Sequence, residues 1–556
     1  MPIVLAGATS GSATVQATDA QTVTLTLPAT SGTLALSTGG GSPTFTSITT
    51  TNDSTISGLT VGKGGGSVSA NTALGVSALT STTTGNWNTA VGYQAGYTNT
   101  TGENNVAVGR LAMYSNTTGV TNTAVGVNAL YSNTTASNNT ASGTNALYAN
   151  TTGASNTAVG SSALSANTTA SNNTAVGFQA LTTNTTGDSL VAVGRNSLRL
   201  NTTGYNNTAV GDTSLRQNTT GIYNSAFGSN ALDANTTGAR NTAIGVETLY
   251  QNTTASNNTA VGYQALYSGV TSTGCAGVGY QAGYAFTVAG GQITAVGSTC
   301  LKNCTTGDEN VGMGTGTLFN TTTGSANTAI GISAMYTNTT GSNNVALGRT
   351  ALYYATGSYN TALGYRAGEN ITTGTYNTIV GHQSVVTGLT TGNHNIYIGP
   401  GAAASSTGAN YEIVITGGSD TGKGSTTGLI SAGGGGVYQG NNASTWSQTS
   451  DQRLKKNIVN NTDGLNKITA IQIRNFEYRL PEEVDAELKP TDAIKIEGTQ
   501  LGVIAQELQA ILPECVKEET TGVLRVDSTN LTWYLINAVK ELNAKVTALE
   551  AQLGAK

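Results

Sequence analysis

A glycine returns at a fixed step along most of this chain. Gly75, Gly92, Gly109, Gly126, Gly143, Gly160, Gly177, Gly194, Gly211, Gly228, Gly245, Gly262 and Gly279 lie 17 residues apart, and Gly297, Gly314, Gly331, Gly348, Gly364, Gly381 and Gly399 continue the series with slips of one. A short fixed period of this kind marks a solenoid, in which one coil buries its apolar face only when the next stacks on it. Residues 71–400 are therefore expected to form a β-solenoid or β-roll shaft of 17-residue coils, and the fold class is mostly β.

Aligned on the glycine, one coil reads Asn-Thr-Ala-Val-Gly-x-x-Ala-Leu-x-x-Asn-Thr-Thr-Gly, as in Asn122 to Gly126 followed by Ala129, Leu130 and Asn133 to Thr135. The residue before the glycine is nearly always apolar (Val91, Val125, Val159, Phe227, Ile244, Leu363), and Thr or Val two places earlier shares its face in a strand. With Leu130, Leu147, Leu164 and their equivalents, each coil is expected to supply two short strands and about two large inward side chains. The Asn-Thr-Thr-Gly segment brings turn residues. Asn88, Asn105, Asn122, Asn139, Asn156 and Asn173 recur four places before the glycine and predict an amide ladder running up the shaft. At about 4.8 Å per coil, twenty coils reach roughly 90 to 100 Å.

Two inward residues per coil make a thin core against the ordering entropy of a coil, which argues for a parallel homotrimer sharing buried faces. The pattern also resembles the β-roll heads of trimeric autotransporter adhesins. Three coils carry Tyr-Gln-Ala-Gly or Tyr-Arg-Ala-Gly (Tyr93–Gly96, Tyr280–Gly283, Tyr365–Gly368), and the glycine removes the inward leucine, which suggests register marks or narrow points. Tyr114, Tyr131, Tyr148 and Tyr250 read as solvent-facing strand residues rather than sugar platforms.

Composition narrows the function. The chain has 556 residues, 73 glycines, 9% charged residues and a net charge of −5, which leaves no basic footprint for nucleic acid. No apolar run is long enough for a membrane-spanning helix, so membrane insertion is not expected. The opening MPIVLAGATSGS lacks the basic flank of a secretory signal, which implies a product made in the cytoplasm of its host cell and held there until that cell releases it. Cys275, Cys300, Cys304 and Cys515 are too few and too uneven for a disulfide framework and read as small buried thiols; His382 and His394 lie far along the chain from them, so no metal or other cofactor is expected. Residues 1–45, with the alternating Val23–Pro28, read as an attachment segment, 46–70 as a linker, and 401–449 as a Gly/Ser-rich neck or tip in which Tyr411–Thr416 alternates like a last strand and Gly433–Gly436 forms a joint.

The composition then changes abruptly. More than half of the 23 Lys and Arg and 28 Asp and Glu lie from residue 450 onward. Ser450-Asp451-Gln452-Arg453-Leu454-Lys455-Lys456-Asn457-Ile458 opens this part, followed by Leu465–Ile471, Phe476-Glu477-Tyr478, Gly502–Glu507, Pro513-Glu514 and Ala538–Leu542. In that order they resemble the intramolecular chaperone domains of phage endosialidase tailspikes and tail fibres, a self-cleaving serine peptidase family. The resemblance covers 450–556 and implies an α+β chaperone domain. Its nucleophile and base map to Ser450 and Lys455, with Lys456 as the fallback base and a break beside Ser450 within Thr449-Ser450-Asp451. A serine needs a neutral base, and a lysine serves only where burial or nearby cations depress its pKa. On one helix, residues five apart point about 140° from each other, so Ser450 must lie in an extended lead-in or meet a lysine of another chain. The rival reading is a helix N-cap at Ser450 or Asp451 with Lys455 solvated.

Leu535, Leu542 and Leu549 alternate with Val539, Val546 and Leu553 at spacings of four and three, a coiled-coil seam over 535–553. The whole then reads as a homotrimeric tail fibre, a virion component joined to the phage tail or baseplate through its N-terminus and touching a host surface glycan or protein receptor through residues around 385–447. Its single enzymatic act would be autoproteolysis by the Ser-Lys dyad. A bacterial trimeric surface adhesin is one alternative. A glycan-degrading tailspike is another and needs a carboxylate pair, whereas the shaft acids Glu103, Asp188, Asp212, Asp233, Glu247, Asp308 and Glu309 are scattered.

Overall fold

The computed structural model describes residues 54–56, 59–432, 436–440, 447–448, 452–484, 496–518 and 522–555. The expected attachment segment 1–45 and most of the Gly433–Gly436 joint lie outside them. The chain divides into two compact units, Met1–Gln448 and Thr449–Lys556.

The first unit is a β-solenoid. From Thr72–Leu74 through Gly428–Ser431, each strand pairs in parallel with the strand one coil on, in unbroken register: Thr123 lies against Thr140, Ala124 against Ala141, Val125 against Ser142. Parallel stacking runs past residue 400, because Ile413–Thr416 pairs with Ile396–Ile398 on one side and Gly428–Ser431 on the other. Both ends are closed by antiparallel strands. Ser54–Ile56 and Leu59–Gly62 form a hairpin whose second strand pairs with Thr72–Leu74, and Gly436–Gln439 folds back on Gly428–Ser431. Such ends leave the first and last coils without a bare parallel edge.

Each coil holds one three-residue strand, not two, and this reverses the predicted faces. In Thr-Ala-Val the middle residue points inward, so Ala124, Ala141 and Ala158 are fully buried while Val125 and Val159 stand about 40% and 38% exposed. The physical reason is the narrowness of the coil, whose strand interior admits little more than a methyl group until the last coils, where Ile379, Tyr397 and Val414 take that place. The rest of the core comes from the turn: Ala129 and Leu130, Ala146 and Leu147, Ala163 and Leu164 are all buried, forming one continuous core from Ala73 to Leu429 inside a single chain. The inward leucine is therefore as predicted. The premise that one chain cannot shelter its large inward residues is not.

The glycine has two tasks. Gly126 holds φ at 135°, where an L side chain is strained, and a Cβ there would stand 2.6 Å from the Gly143 carbonyl oxygen of the next coil. Turn backbones are also bonded from coil to coil; the Leu130 N–H donates to the Ala146 carbonyl at 3.0 Å and that of Gly143 to Val125 at 2.8 Å. The asparagine ladder forms as expected. The Asn122 side-chain amide donates to the Ala136 carbonyl at 2.9 Å, and its oxygen accepts the Asn139 backbone N–H at 3.0 Å. A second ladder, read in the sequence as turn chemistry, is also buried: the Asn133 amide donates to Asn116 at 2.9 Å, and Asn150 to Asn133 at 2.9 Å. Paired amides satisfy buried polar groups that would otherwise be costly.

Where glycine replaces the leucine, neighbouring side chains take its space. A Cβ at Gly96 would meet Leu79 at 2.9 Å, and one at Gly368 would meet Ile379 at 2.9 Å. Cys275, Cys300 and Cys304 occupy inward positions and are buried, as expected; burial pushes the Cys275 thiol up to about 11 and those of Cys300 and Cys304 up to about 12.

The second unit is small and mixed. Helix α1 (Leu465–Ala470) packs on the long helix α3 (Ser528–Gly554), and α2 (Ala505–Gln509) packs on the hairpin Val516–Glu518 with Leu524–Val526. A second antiparallel pair joins Arg474–Phe476 to Gln500–Gly502. Leu508, Leu512, Cys515 and Val516 form its buried centre. Among the described residues no helix is long and apolar enough to cross a membrane.

Candidate functional site

Thr449, Ser450 and Asp451 lie outside the described residues. Lys455 follows a single turn, Gln452–Leu454, and its N–H donates to the Gln452 carbonyl at 3.0 Å; the side chains of Lys455 and Lys456 are exposed.

The other segments of the C-terminal pattern converge on α3. Gly464 touches it so closely that a Cβ would stand 2.6 Å from the Ala538 nitrogen, which explains a glycine at the head of α1. The Leu465 N–H donates to Glu541 at 3.0 Å, and the Asn537 side-chain amide donates to the Asn461 and Asp463 carbonyls at 3.0 and 3.2 Å. Lys467 donates to the Ile511 carbonyl at 3.0 Å, and Arg474 forms a two-pronged pair with Glu507 at 2.9 and 3.1 Å. Glu514 accepts from the Tyr534 hydroxyl, which holds its carboxyl below the usual range. Asp527 caps α3 by accepting from Thr529 at 3.1 Å, while Lys517 lies 3.2 Å away. Glu507, Glu514, Asp527 and Glu541 thus serve the architecture of this unit.

Two apolar surfaces of the units remain open. On α3 the predicted seam points outward: Leu535, Val539, Leu542, Val546, Leu549 and Leu553 are all exposed. Beside its first turns lies a groove of about 410 Å³ lined by Ile468, Ile471, Ile473, Val503, Leu531 and Leu535. On the shaft, the residue before each glycine makes an outward apolar column that includes Val125, Val159, Phe227, Ile244, Ile330 and Leu363, each at least 37% exposed. The column is broken by a polar residue at Ser142, and an outward apolar line of this length is uncommon on a solitary soluble chain.

Five of the seven shaft acids named from the sequence are engaged in coil-to-coil bonds. Asp212 pairs with Arg195 at 2.8 Å, Asp233 with Arg216 at 2.9 Å, and Glu247 accepts from Gln264 at 2.7 Å. Asp188 accepts the Ser171 N–H and Asp308 the Gln292 N–H, both at 2.6 Å. Burial raises the Asp233 carboxyl despite its arginine, yet that residue is enclosed between coils rather than set in a cleft.

Tyr114, Tyr131 and Tyr148, expected to face solvent from strands, instead follow the inward turn residues Met113, Leu130 and Leu147, and with Tyr97 they stack ring on ring at 5.2 Å. Two features near the C-terminal end of the shaft were not anticipated. Tyr359, Tyr376, His394 and Tyr411 form a second ladder, and Glu412, where an asparagine of the first ladder would stand, is fully buried. Their signal in the sequence is a change of residue type at one repeat position.

Residues 450–517 match the chaperone-of-endosialidase family, Peptidase_S74. The chain is also similar to the long tail fiber protein Gp37 of Enterobacteria phage K3 and to that of Enterobacteria phage T2, each 33% identical over 123 residues, or 21% of this chain. These stretches cover 9% and 8% of the two relatives, so the chain spans less than a tenth of their length. No solved structure matches it.

Proposed function

We propose that this chain, a β-solenoid whose residues 450–517 are a chaperone-of-endosialidase domain, is a phage tail fibre: three copies associate along the shaft, the N-terminal region joins them to the phage tail or baseplate, and the C-terminal domain aligns them and then cuts itself away. The observation that carries the reading is the outward apolar column of the shaft together with the outward seam of α3, two stripes that further copies of the same chain would cover in parallel. A parallel trimer brings identical columns together around one axis.

The cutting chemistry follows from the same assembly. The Ser450 hydroxyl would attack an adjoining peptide carbonyl while Lys455 takes its proton; the carbonyl–nitrogen bond then breaks, the freed amine leaves with that proton, and water hydrolyses the ester so formed. A lysine amine accepts the hydroxyl proton only where burial or a neighbouring cation has removed its own proton. In this reading the cut waits for correct assembly, which brings the three chain ends together around Ser450 and Lys455.

The test is the intact mass and sedimentation of the purified full chain beside its Ser450→Ala form. The parent should be a trimer shortened by about a fifth, and the variant a trimer of full-length chains. A parent that stays full length after trimerising would remove the dyad; a monomeric parent would remove the fibre.

A further inference from the structure

The second aromatic ladder occupies a position where aromatic residues are a poor choice. The residue before the first-ladder position lies in the left-handed region in nearly every coil, and most coils place there a residue that tolerates it or is small, such as Asn138, Ser155, Asn172, Asn206, Asn257 and Asn343, with Trp87, Tyr223, Arg240 and Glu309 as bulky exceptions elsewhere. In four consecutive coils near the C-terminal end the position changes to Tyr359 (φ 61°), Tyr376 (57°), His394 (59°) and Tyr411 (55°). Burial does not compensate, because Tyr359 and Tyr376 are 49% exposed and Tyr411 59%. Bulky side chains held in a disfavoured conformation, in the open, on adjacent coils point to a use outside the fold.

Their geometry restricts that use. Ring centroids are 4.6, 4.7 and 4.9 Å apart and the planes within 4° of parallel, so each inner ring has both faces taken by its neighbours. What faces solvent is a row of ring edges, which carry the positive side of the aromatic quadrupole, together with phenol hydroxyls and an imidazole. Such a row repels cations and, apart from the outer faces of its two end rings, offers no open face for one sugar ring to stack on. It suits a linear partner with oxygen acceptors at regular intervals. Beside it runs a polar row: Asn393 accepts from the Thr375 N–H and hydroxyl at 2.8 and 2.7 Å, and Asn410 accepts the Asn393 N–H at 2.8 Å. An added peptide strand would need unpaired backbone groups, but the strands beside the ladder, Thr378–Val380 and Ile396–Ile398, are paired on both sides. A nucleic acid would need cations, and Arg366, beside these coils, is already paired with Glu369.

We propose that Tyr359, Tyr376, His394 and Tyr411 form a binding surface for a polysaccharide chain lying along the shaft. This rests on the adhesive reading of the fibre and names the class of receptor it meets. The test uses the full chain with all four residues replaced by the consensus asparagine: Tyr359→Asn, Tyr376→Asn, His394→Asn and Tyr411→Asn. Because asparagine tolerates the left-handed region, the variant should melt no lower than the parent. A control carries Tyr114→Ser and Tyr131→Ser in the other ladder.

The probes are a printed panel of purified bacterial capsular and lipopolysaccharide-derived polysaccharides, and a panel of intact bacterial strains with or without periodate treatment. The expected result is binding by the parent and the control to at least one polysaccharide, weakened tenfold or more in the four-residue variant, and adsorption to cells that periodate abolishes. Unchanged binding by the variant would overturn the assignment, as would adsorption that survives periodate but not protease. A parent that adsorbs to no strain would instead overturn the adhesive reading itself.

Discussion

Replacing Glu412 by glutamine should loosen the last coils of the shaft far more than a one-atom change suggests. Its carboxylate is fully buried at the position where the asparagine ladder ends, with its N–H donating to Asn395 at 2.8 Å. One oxygen accepts from the Tyr397 hydroxyl at 2.8 Å and the Ser405 N–H at 3.1 Å; the other accepts the Gly424 N–H at 2.8 Å. All three partners donate. Burial, and then the adjacent carboxylate, push the Tyr397 phenol far up, so it remains a donor. Glutamine keeps one acceptor oxygen and turns an NH₂ group toward at least one of these donors. With hydrogen bonds to a charged group worth about 1.5–3 kcal/mol each, and a buried amide left facing a donor, the cost is about 3–5 kcal/mol. Coils of a solenoid open locally, so the readout is amide exchange at Ser405 and Gly424 rather than global melting. A loss of about 3 kcal/mol accelerates exchange there about a hundredfold. Tyr397→Phe, which removes one donor of three, should cost less, about 1–2 kcal/mol. Unchanged protection in Glu412→Gln, or a larger effect in Tyr397→Phe, would refute the view of Glu412 as an acceptor plug.

Two further outcomes concern the C-terminal unit. Aspartate at two outward seam positions, Val539→Asp with Leu542→Asp, should leave the helical signal in place while reducing the sedimentation mass of the Ser450→Ala chain from trimer toward monomer; an unchanged mass would locate association elsewhere. The hydrogen bond from Lys517, helped by the capping N–H groups, holds the folded Asp527 carboxyl below its ordinary value. A lowered folded pKa gives stability that is present above the unfolded value of about 3.9 and is lost as pH falls through the folded one. The difference in thermal loss of helical signal between parent and Asp527→Asn should therefore be full near pH 6 and close as pH drops below about 4. A gap that persists in acid would show that the cap does not act through charge.

The coil period was legible because the same inward set repeats on every turn, and the first asparagine ladder because an amide at a constant position has an evident vertical partner. The facing of the strand was not, because apolar character alone pointed to the residue before the glycine. Variation in size was the better guide. That position takes Val125, Ser142, Phe227, Ile244 and Met313, a spread only an outward site accommodates, while the one before it is Ala107, Ala124, Ala141, Ala158 and Ala175 in succession. The second ladder was hidden in Asn-Thr-Thr, whose residues equally serve a surface turn. In the C-terminal unit the ordered motifs were readable, and α3 carries its seam where spacing put it. The contacts that tie those motifs to α3, such as Glu541 to Leu465, join residues about 75 positions apart and leave no local signal.

The corrected facing changes what a C-terminal chaperone is for. The coils already enclose their large inward residues and alanines and bond nearly all of their buried asparagines within one chain, so partners are not needed to shelter the core. What one chain leaves open is a column of similar apolar residues repeating once per coil, and similar columns match one another almost equally well when slipped by a coil. The irregular features, among them the slips of one residue near Gly297 and Gly364, are carried by every copy at the same height and distinguish the true alignment only once most of the shaft is paired. In the proposed trimer a helix seam would remove the ambiguity at the start, by fixing the chain ends before the columns meet. On this argument the foot supplies registration rather than stability, and a shaft released after alignment has no further need of it.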